Sequence, residues 1–436
     1  MMNRTFRITV AAVALAAAPL AGCDLFEVDD RPSPNGIALE DILANPTEAN
    51  ITNLAVGTEA SSRVRLETYL SSVGTIGREY YRISPSDPRF TADLLGKENA
   101  VLDDNTFYIT APWAARYATI RNANTLLQAV QLNGTLSQAE KDGASGFAKT
   151  WKAYQYLLNL NLTYENGIRF IAQGEDQASE LVGYAASLDR IATLLDEAAA
   201  ELDGGEIPFP TTIGADYYTT NRALASRVDL YREDYAGALT ALDEAGAFGD
   251  DIGALEDGAY HVFSGGAGDA LNDFAFPFNA TGDATLAHPS FVADIDTADT
   301  RISKVRARES RTSDGLSSAF GVNVYPNATS PIPIITNGEL VLNRAEALLN
   351  TGNVGGAIEQ LDIIRLAAGF EEYDGAEDAA SVREELIYQR RYQLYAEGHR
   401  WVDARRYGIL DQLPIDREGD DVFVQFPVPA NDSNRP

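Results

Sequence analysis

The sequence predicts a mainly α protein in which helical hairpins form a scaffold, with long loop insertions and a few short strands. Three observations lead there. Long segments repeat apolar residues at three- and four-residue steps. A six-position pattern occurs twice with identical offsets. A stretch rich in Gly, Pro, Asn and Asp separates the two copies and has a different character.

The helices follow from their spacing. "WAARYATIRNANTLLQAVQ" (113–131) sets Trp113, Tyr117, Ile120, Asn124 and Leu127 on one face. Residues 136–164 open with Ser137 and Glu140, the two ends of a capping box. They continue with Phe147, Trp151, Tyr154 and Leu158 at helical intervals. Residues 187–202 begin at Ser187, the expected cap, and carry Leu188, Ile191, Leu194, Leu195 and Ala198 along one stripe.

The repeat is more specific. Ser226, Leu230, Asp234, Tyr235, Ala238 and Leu242 stand in the same relative positions as Ala345, Leu349, Asn353, Val354, Ala357 and Leu361. Read physically, each copy is a hairpin of two helices. The small first residue lets the second helix come close, and Asp or Asn caps that helix. Its Ala sits at the crossing and its Leu fills the seam. The offsets resemble those of tetratricopeptide repeats. The copies are not in tandem, because the loop-rich insert of about 246–336 lies between them. Loops of that length in a compact protein are usually functional.

The N-terminus carries a different message. Arg4 and Arg7 precede an apolar run, Ile8 to Leu20, followed by Ala21, Gly22 and Cys23. This has the form of a secretory signal, and the run is too short to span a bilayer as a helix. Leu20-Ala21-Gly22-Cys23 looks like a lipobox, and Cys23 is the only cysteine in the chain. The expectation is a signal peptide over 1–22, acylation of Cys23 (palmitate among its chains), a flexible tether over 23–36 and one domain over 37–436. Several acyl chains on one residue give stable anchoring. The acidic residues after Cys23 leave inner or outer membrane open.

Of the 436 residues, 64 are acidic and 34 basic, for a net charge of −30. Such a surface repels nucleic acid and anionic headgroups, which excludes both as partners.

"REELIYQRRYQLYAEGHRWVDARRYG" (383–408) is the densest patterned stretch. Leu386, Arg390, Leu394 and Glu397 recur at helical spacing, and Gly398 is expected to end or kink that helix. Glu397, His399 and Asp403 could be read as catalytic. Close-set Glu, Arg and Asp around a Gly break form a buried ion-pair network more often, and that is the reading adopted.

Seven segments now resemble, in order, the SusD/RagB family of outer-membrane nutrient-uptake lipoproteins. They are "WAARYATIRNANTLL", "WKAYQYLLNLNLTYENGI", "SLDRIATLLDEAAAEL", "ALASRVDLYREDYAGAL", "ELVLNRAEALLNTGNVGGAIEQLDIIRLAAG", "EGHRWVDARRYG" and "FPVPANDSNRP". The resemblance implies a helical-hairpin scaffold with a ligand-facing surface built from loops. It implies capture of an oligosaccharide or peptide, a glycan before a peptide, for a TonB-dependent (SusC-like) outer-membrane β-barrel. It implies no catalysis and no cofactor, and a repeat side turned toward the barrel. The location implied is the outer membrane, lipid-anchored and facing the cell surface.

A sugar binder needs exposed rings to stack on sugar faces, with amide, carboxylate and Arg groups for the hydroxyls. Two stretches offer rings. Residues 77–113 hold Tyr80, Tyr81, Arg82, Phe90, Phe107 and Tyr108, and the insert holds Tyr260, Phe263, Phe274, Phe276, Phe278 and Phe291. Tyr80, Tyr81, Tyr108 and Tyr260 are the predicted contacts, because Tyr tolerates exposure better than Phe. No His stands in a metal-ligand spacing, and neither a phosphate loop nor a G-x-S-x-G elbow occurs. "DIDTADT" (294–300) looks like a calcium loop but lacks its Gly and terminal Glu. Two other functions stay open on the residues alone: a helical-repeat scaffold lipoprotein for outer-membrane assembly, and a glycan-degrading lipoprotein.

Overall fold

The computed structural model describes residues 39–174, 178–267 and 269–433. Cys23, the leader and the tether lie outside the described residues. The chain divides at residue 45, and the described part of the N-terminal unit holds α1 (Leu39–Ala44).

The main unit opens with α2 (Glu48–Ser62), α3 (Leu66–Ile76), β1 (Tyr80–Ile83) and α4 (Arg89–Ala92). The long helices α5 (Phe107–Leu132) and α6 (Gln138–Thr163) follow, then α7 (Tyr184–Leu202). The first repeat copy is α8 (Tyr217–Tyr231) and α9 (Tyr235–Ala245). The insert contributes β2 (Gly258–His261), β3 (Ala284–Ala287), α10 (Pro289–Asp294), β4 (Val305–Ser313), β5 (Leu316–Val322) and β6 (Ile332–Thr336). The second copy is α11 (Asn337–Asn350) and α12 (Val354–Ala367). The chain then runs through α13 (Ala379–Gln393) and α14 (Arg400–Arg406) to α15 (Ala430–Ser433). Helices dominate and the strands are few, as the spacing predicts.

Neighbours in sequence are neighbours in space. α5 packs on α6, α6 on α7 and α7 on α8, while α11 contacts α8, α9, α12 and α13. The predicted faces of α5 and α6 are buried, with Ile120 and Phe147 at 0% exposure. The capping box at Ser137 and Glu140 forms in both directions. Gly146 lets α6 and α7 close up, since a Cβ there would stand 2.8 Å from the Ala198 carbonyl.

Two boundaries differ from expectation for identifiable reasons. α5 starts six residues before Trp113, with Pro112 inside it. Proline offers no N–H to the Tyr108 carbonyl one turn back. The Ser72 hydroxyl, which bonds the Thr68 carbonyl at 2.8 Å, also reaches that carbonyl at 3.2 Å, so the freed acceptor faces a shared donor and the helix continues through the proline. α7 starts at Tyr184 with Gly183 as its cap. Ser187 lies inside the helix and donates to the Val182 carbonyl at 2.7 Å.

Both repeat hairpins form as read. Asp234 accepts from the Gly237 N–H and Asn353 from the Gly356 N–H, at 2.9 and 3.0 Å. Ala238 and Ala357 at the crossings are fully buried, as are Leu242 and Leu361. The second hairpin shares one core with α13, built from Val341, Leu342, Ala357, Leu361, Ile364, Val382 and Leu386.

The insert carries the few short strands expected, joined by loops, and they pair. Four antiparallel strands stand in the order β1-β3-β5-β4. The β4–β5 turn has Asp314 and Gly315 at φ 53° and 79°, the positive pair that a tight hairpin turn requires. A second ribbon pairs β2 with β6 and is bulged between Ala259 and Tyr260. β1 enters the sheet against β3, with Tyr81 opposite Leu286. The two ring-bearing stretches, some 200 residues apart in sequence, are thus joined backbone to backbone.

Candidate functional site

The four predicted tyrosines separate into two groups. Tyr80, Tyr81 and Tyr108 are buried, at 0%, 2% and 0% exposure, which corrects the expectation that they present a surface. The cause is the setting of β1. It lies between β3 and the helices α3 and α4, and all four of its residues are buried. Each hydroxyl is also committed. Tyr80 donates to the Leu70 carbonyl at 2.6 Å, and its ring fills the space left by Gly74, where a Cβ would lie 2.1 Å away. Tyr81 donates to Asp416 at 2.9 Å, a carboxylate that His288 also reaches at 2.9 Å. The Tyr108 hydroxyl accepts from the Asp103 N–H at 2.8 Å.

Around them the half-buried rings are phenylalanines, against expectation. Each carries a guanidinium on its face: Arg89 over Phe107 at 4.8 Å, Arg82 over Phe276 at 4.3 Å and Arg306 over Phe278 at 3.5 Å. Phe90, Phe263, Phe274 and Phe291 belong to the core.

Tyr260 is placed differently. The β2 bulge frees its backbone N–H from the ladder, and that group donates to the Ile213 carbonyl at 2.9 Å. The ring is half-buried and lines a cavity of about 670 Å³. Phe248 and Val262 supply further apolar wall, and Asp216, Thr219, Glu256 and Asp257 supply oxygens. The Tyr260 hydroxyl donates to the Glu256 carbonyl. Burial, reinforced by Glu256, Glu397 and Asp257, pushes its pKa well above the ordinary phenol value, so it is a neutral donor and acceptor at any physiological pH. Asp216 caps α8 by accepting from the Thr219 N–H at 2.9 Å.

The wall bearing Phe248 is held by Asn337, the first residue of α11. Its side chain is fully buried, accepts from the Phe248 N–H at 2.8 Å and donates to the Phe248 carbonyl at 2.9 Å. Two more of its contacts reach the Asp251 and Ala254 carbonyls. Sequence reasoning missed Asn337. The only local signal is an Asn-Gly pair at the strand-to-helix junction. A ring, carboxylates and hydroxyls around one concave space are the groups that recognise a polyhydroxylated ligand.

His399 and Asp403 are internal, as the ion-pair reading has it, whereas Glu397 is half-buried and pairs with no cation among the described residues. Asp403 receives Arg390 at 2.8 Å and Arg406 at 3.2 Å. Arg406 and the Tyr407 hydroxyl converge on Glu346. His399 faces Glu339 at 3.5 Å, and burial lowers its pKa to about 4 despite that carboxylate. Gly398 lies in the loop before α14 rather than at a helix end, since α13 stops at Gln393. Asp294 and Asp299 of the calcium-like stretch pair with Arg391 and Arg301 at 2.9 and 2.7 Å. Among the described residues no three His, Cys, Asp or Glu side chains are grouped to hold a metal ion, and no helix is long and apolar enough to cross a membrane.

Residues 316–431 match the SusD family. No curated protein matches the sequence significantly. Among solved structures, a SusD superfamily protein from Bacteroides vulgatus is similar, with TM-score 0.69 and 16% identity, over 89% of this chain and 97% of that one. Surface glycan-binding protein A from Bacteroides thetaiotaomicron, in complex with laminarihexaose, gives TM-score 0.70 and 13% identity over the same shares. A laminarin-binding SusD-like protein gives TM-score 0.63 and 16% identity over 87% and 96%. At these identities the likeness speaks for fold. The C-terminal part therefore carries the SusD family signature, and the fold is similar to that of SusD superfamily structures over most of the chain.

Proposed function

We propose that the protein captures an oligosaccharide at the cell surface and passes it, unaltered, to a TonB-dependent outer-membrane barrel. On this reading residues 1–22 are removed, Cys23 is acylated in the outer membrane, and residues 23–36 tether a single binding domain. The supporting observation is the Tyr260 cavity, which puts a ring, carboxylates and a hydroxyl around a space large enough for a sugar unit or two. Two structurally similar proteins are described as binding laminarin or laminarihexaose, which agrees with a glycan ligand. The helical-repeat hairpins are the surface offered to the barrel.

The test is isolation of the native, lipidated protein under mild detergent. A large β-barrel copurifying with it, and palmitate incorporated at Cys23, are the expected results. Recovery of the protein alone from the periplasm contradicts the reading.

A further inference from the structure

A second cavity, of about 310 Å³, lies away from Tyr260, over α6 and α7 and the segment at 170–171. Lys152 of α6 lines it and is 7% exposed. Among the described residues its ammonium makes neither a hydrogen bond nor an ion pair. Its stem is buried while the nitrogen itself is not fully enclosed, so the ammonium reaches the open space of the cavity only partly desolvated, which favours a counter-charge there. The carboxylates nearby are engaged by other cations. Glu197 pairs with Lys149 at 3.1 Å, and Asp189 with Arg232 at 2.9 Å. Arg190, also lining the cavity, lies over the Phe170 ring at 5.2 Å. Phe170, Ile171 and Leu194 give an apolar stretch of wall, and Tyr156 and Thr193 complete it.

Two cations at an apolar, ring-bearing wall suit one chemistry: an oxyanion attached to a body with an apolar face. We infer that this cavity takes an acidic sugar, whose carboxylate or sulfate meets Lys152 and whose ring lies against Phe170. The inference rests on the glycan-capture reading and narrows its substrate class to acidic oligosaccharides. Burial, helped by Lys149 and opposed by Glu197, lowers the Lys152 pKa to about 8. Asp189, Arg190 and Glu197 line the cavity with it, and Lys149, paired with Glu197 and Glu201, acts on it from one turn back along α6. A bound anion stabilises the ammonium, so occupancy falls as pH rises past that value.

The test is calorimetric titration of the full folded domain with trigalacturonate, its methyl ester, galactose 6-sulfate and a neutral glucan trimer. The expected result is at least tenfold tighter binding of trigalacturonate or the sulfate than of the ester. K152M should abolish that difference while melting no lower than wild type, because it removes a partly desolvated charge that has no partner among the described residues and keeps the buried stem. K152R should restore the preference and keep it above pH 9, where the wild type loses it. Equal binding of acid and ester, or unchanged acid binding by K152M, overturns the inference. Binding of the neutral trimer alone overturns it too, yet leaves glycan capture standing. Binding of none of the four counts against both.

Discussion

Arg227 of α8 grips both carboxylate oxygens of Glu339 of α11, each at 2.6 Å, with both side chains buried. This pair ties one repeat hairpin to the other across 112 residues of sequence. Burial alone would raise the Glu339 pKa, but Arg227, with His399 and Arg390 behind it, holds it below the usual carboxylate range. The pair therefore stabilises the fold at and above the ordinary carboxylate pKa, and that contribution is lost as pH falls through the lowered value. E339Q strands a buried guanidinium and should lower unfolding free energy by about 3–5 kcal/mol. Replacing both partners, as R227M with E339L, should cost less than E339Q alone. Denaturant titration of the three variants checks the order.

The hairpin seams give a second expectation. Ala238 and Ala357 have no room beside them, so A238L and A357L should each destabilise by about 1–3 kcal/mol through overpacking. Removing the caps, D234A and N353A, should cost about 1 kcal/mol each. Shifts in thermal midpoint at constant pH measure all four.

Glu79 is a buried acid whose pKa is pushed up toward neutrality. Burial raises its pKa to about 7, although the Ala396 N–H donates to it at 2.9 Å, and its other oxygen is buried without a partner. A raised carboxyl favours the fold while protonated. Its contribution is complete below the ordinary carboxylate pKa and fades as pH rises through about 7. E79Q imitates the protonated form. The stability difference between E79Q and wild type should therefore grow by about 3 kcal/mol, in favour of E79Q, from pH 4 to pH 8. A difference that does not change with pH refutes this assignment.

The two tyrosine groups should behave oppositely in binding. Y260A should weaken oligosaccharide binding at least tenfold with little change in melting temperature. Y80F and Y81F should leave binding intact and lower stability by about 1 kcal/mol each, through one lost hydrogen bond. Calorimetry and melting curves on the same preparations separate the outcomes.

Local chemistry carried much of this fold in plain view. Helical spacing, the Ser137–Glu140 box and the Asp234 and Asn353 caps are decided by residues within a few positions of one another, and the structure has all of them. The misreadings share one origin: they depend on contacts distant in sequence. Pro112 looks like a helix boundary until Ser72, 40 positions earlier, reaches the carbonyl it frees. Tyr80 and Tyr81 look like surface rings until β3, two hundred residues on, covers them. Tyr being more polar than Phe did not decide exposure there, because buried carbonyls and Asp416 satisfied the hydroxyls while Arg side chains covered the phenylalanines. Tyr260 borders the cavity of about 670 Å³, and the Asn337 clamp that holds its Phe248 wall left almost no trace in the sequence.

The most direct measurement is to incubate the purified, folded protein with polysaccharides and follow both retention and products. The account predicts that at least one glycan is retained, is released intact, and is retained less by Y260A. Release of shortened oligosaccharides, or no retention of any glycan by protein that melts cooperatively, would contradict it.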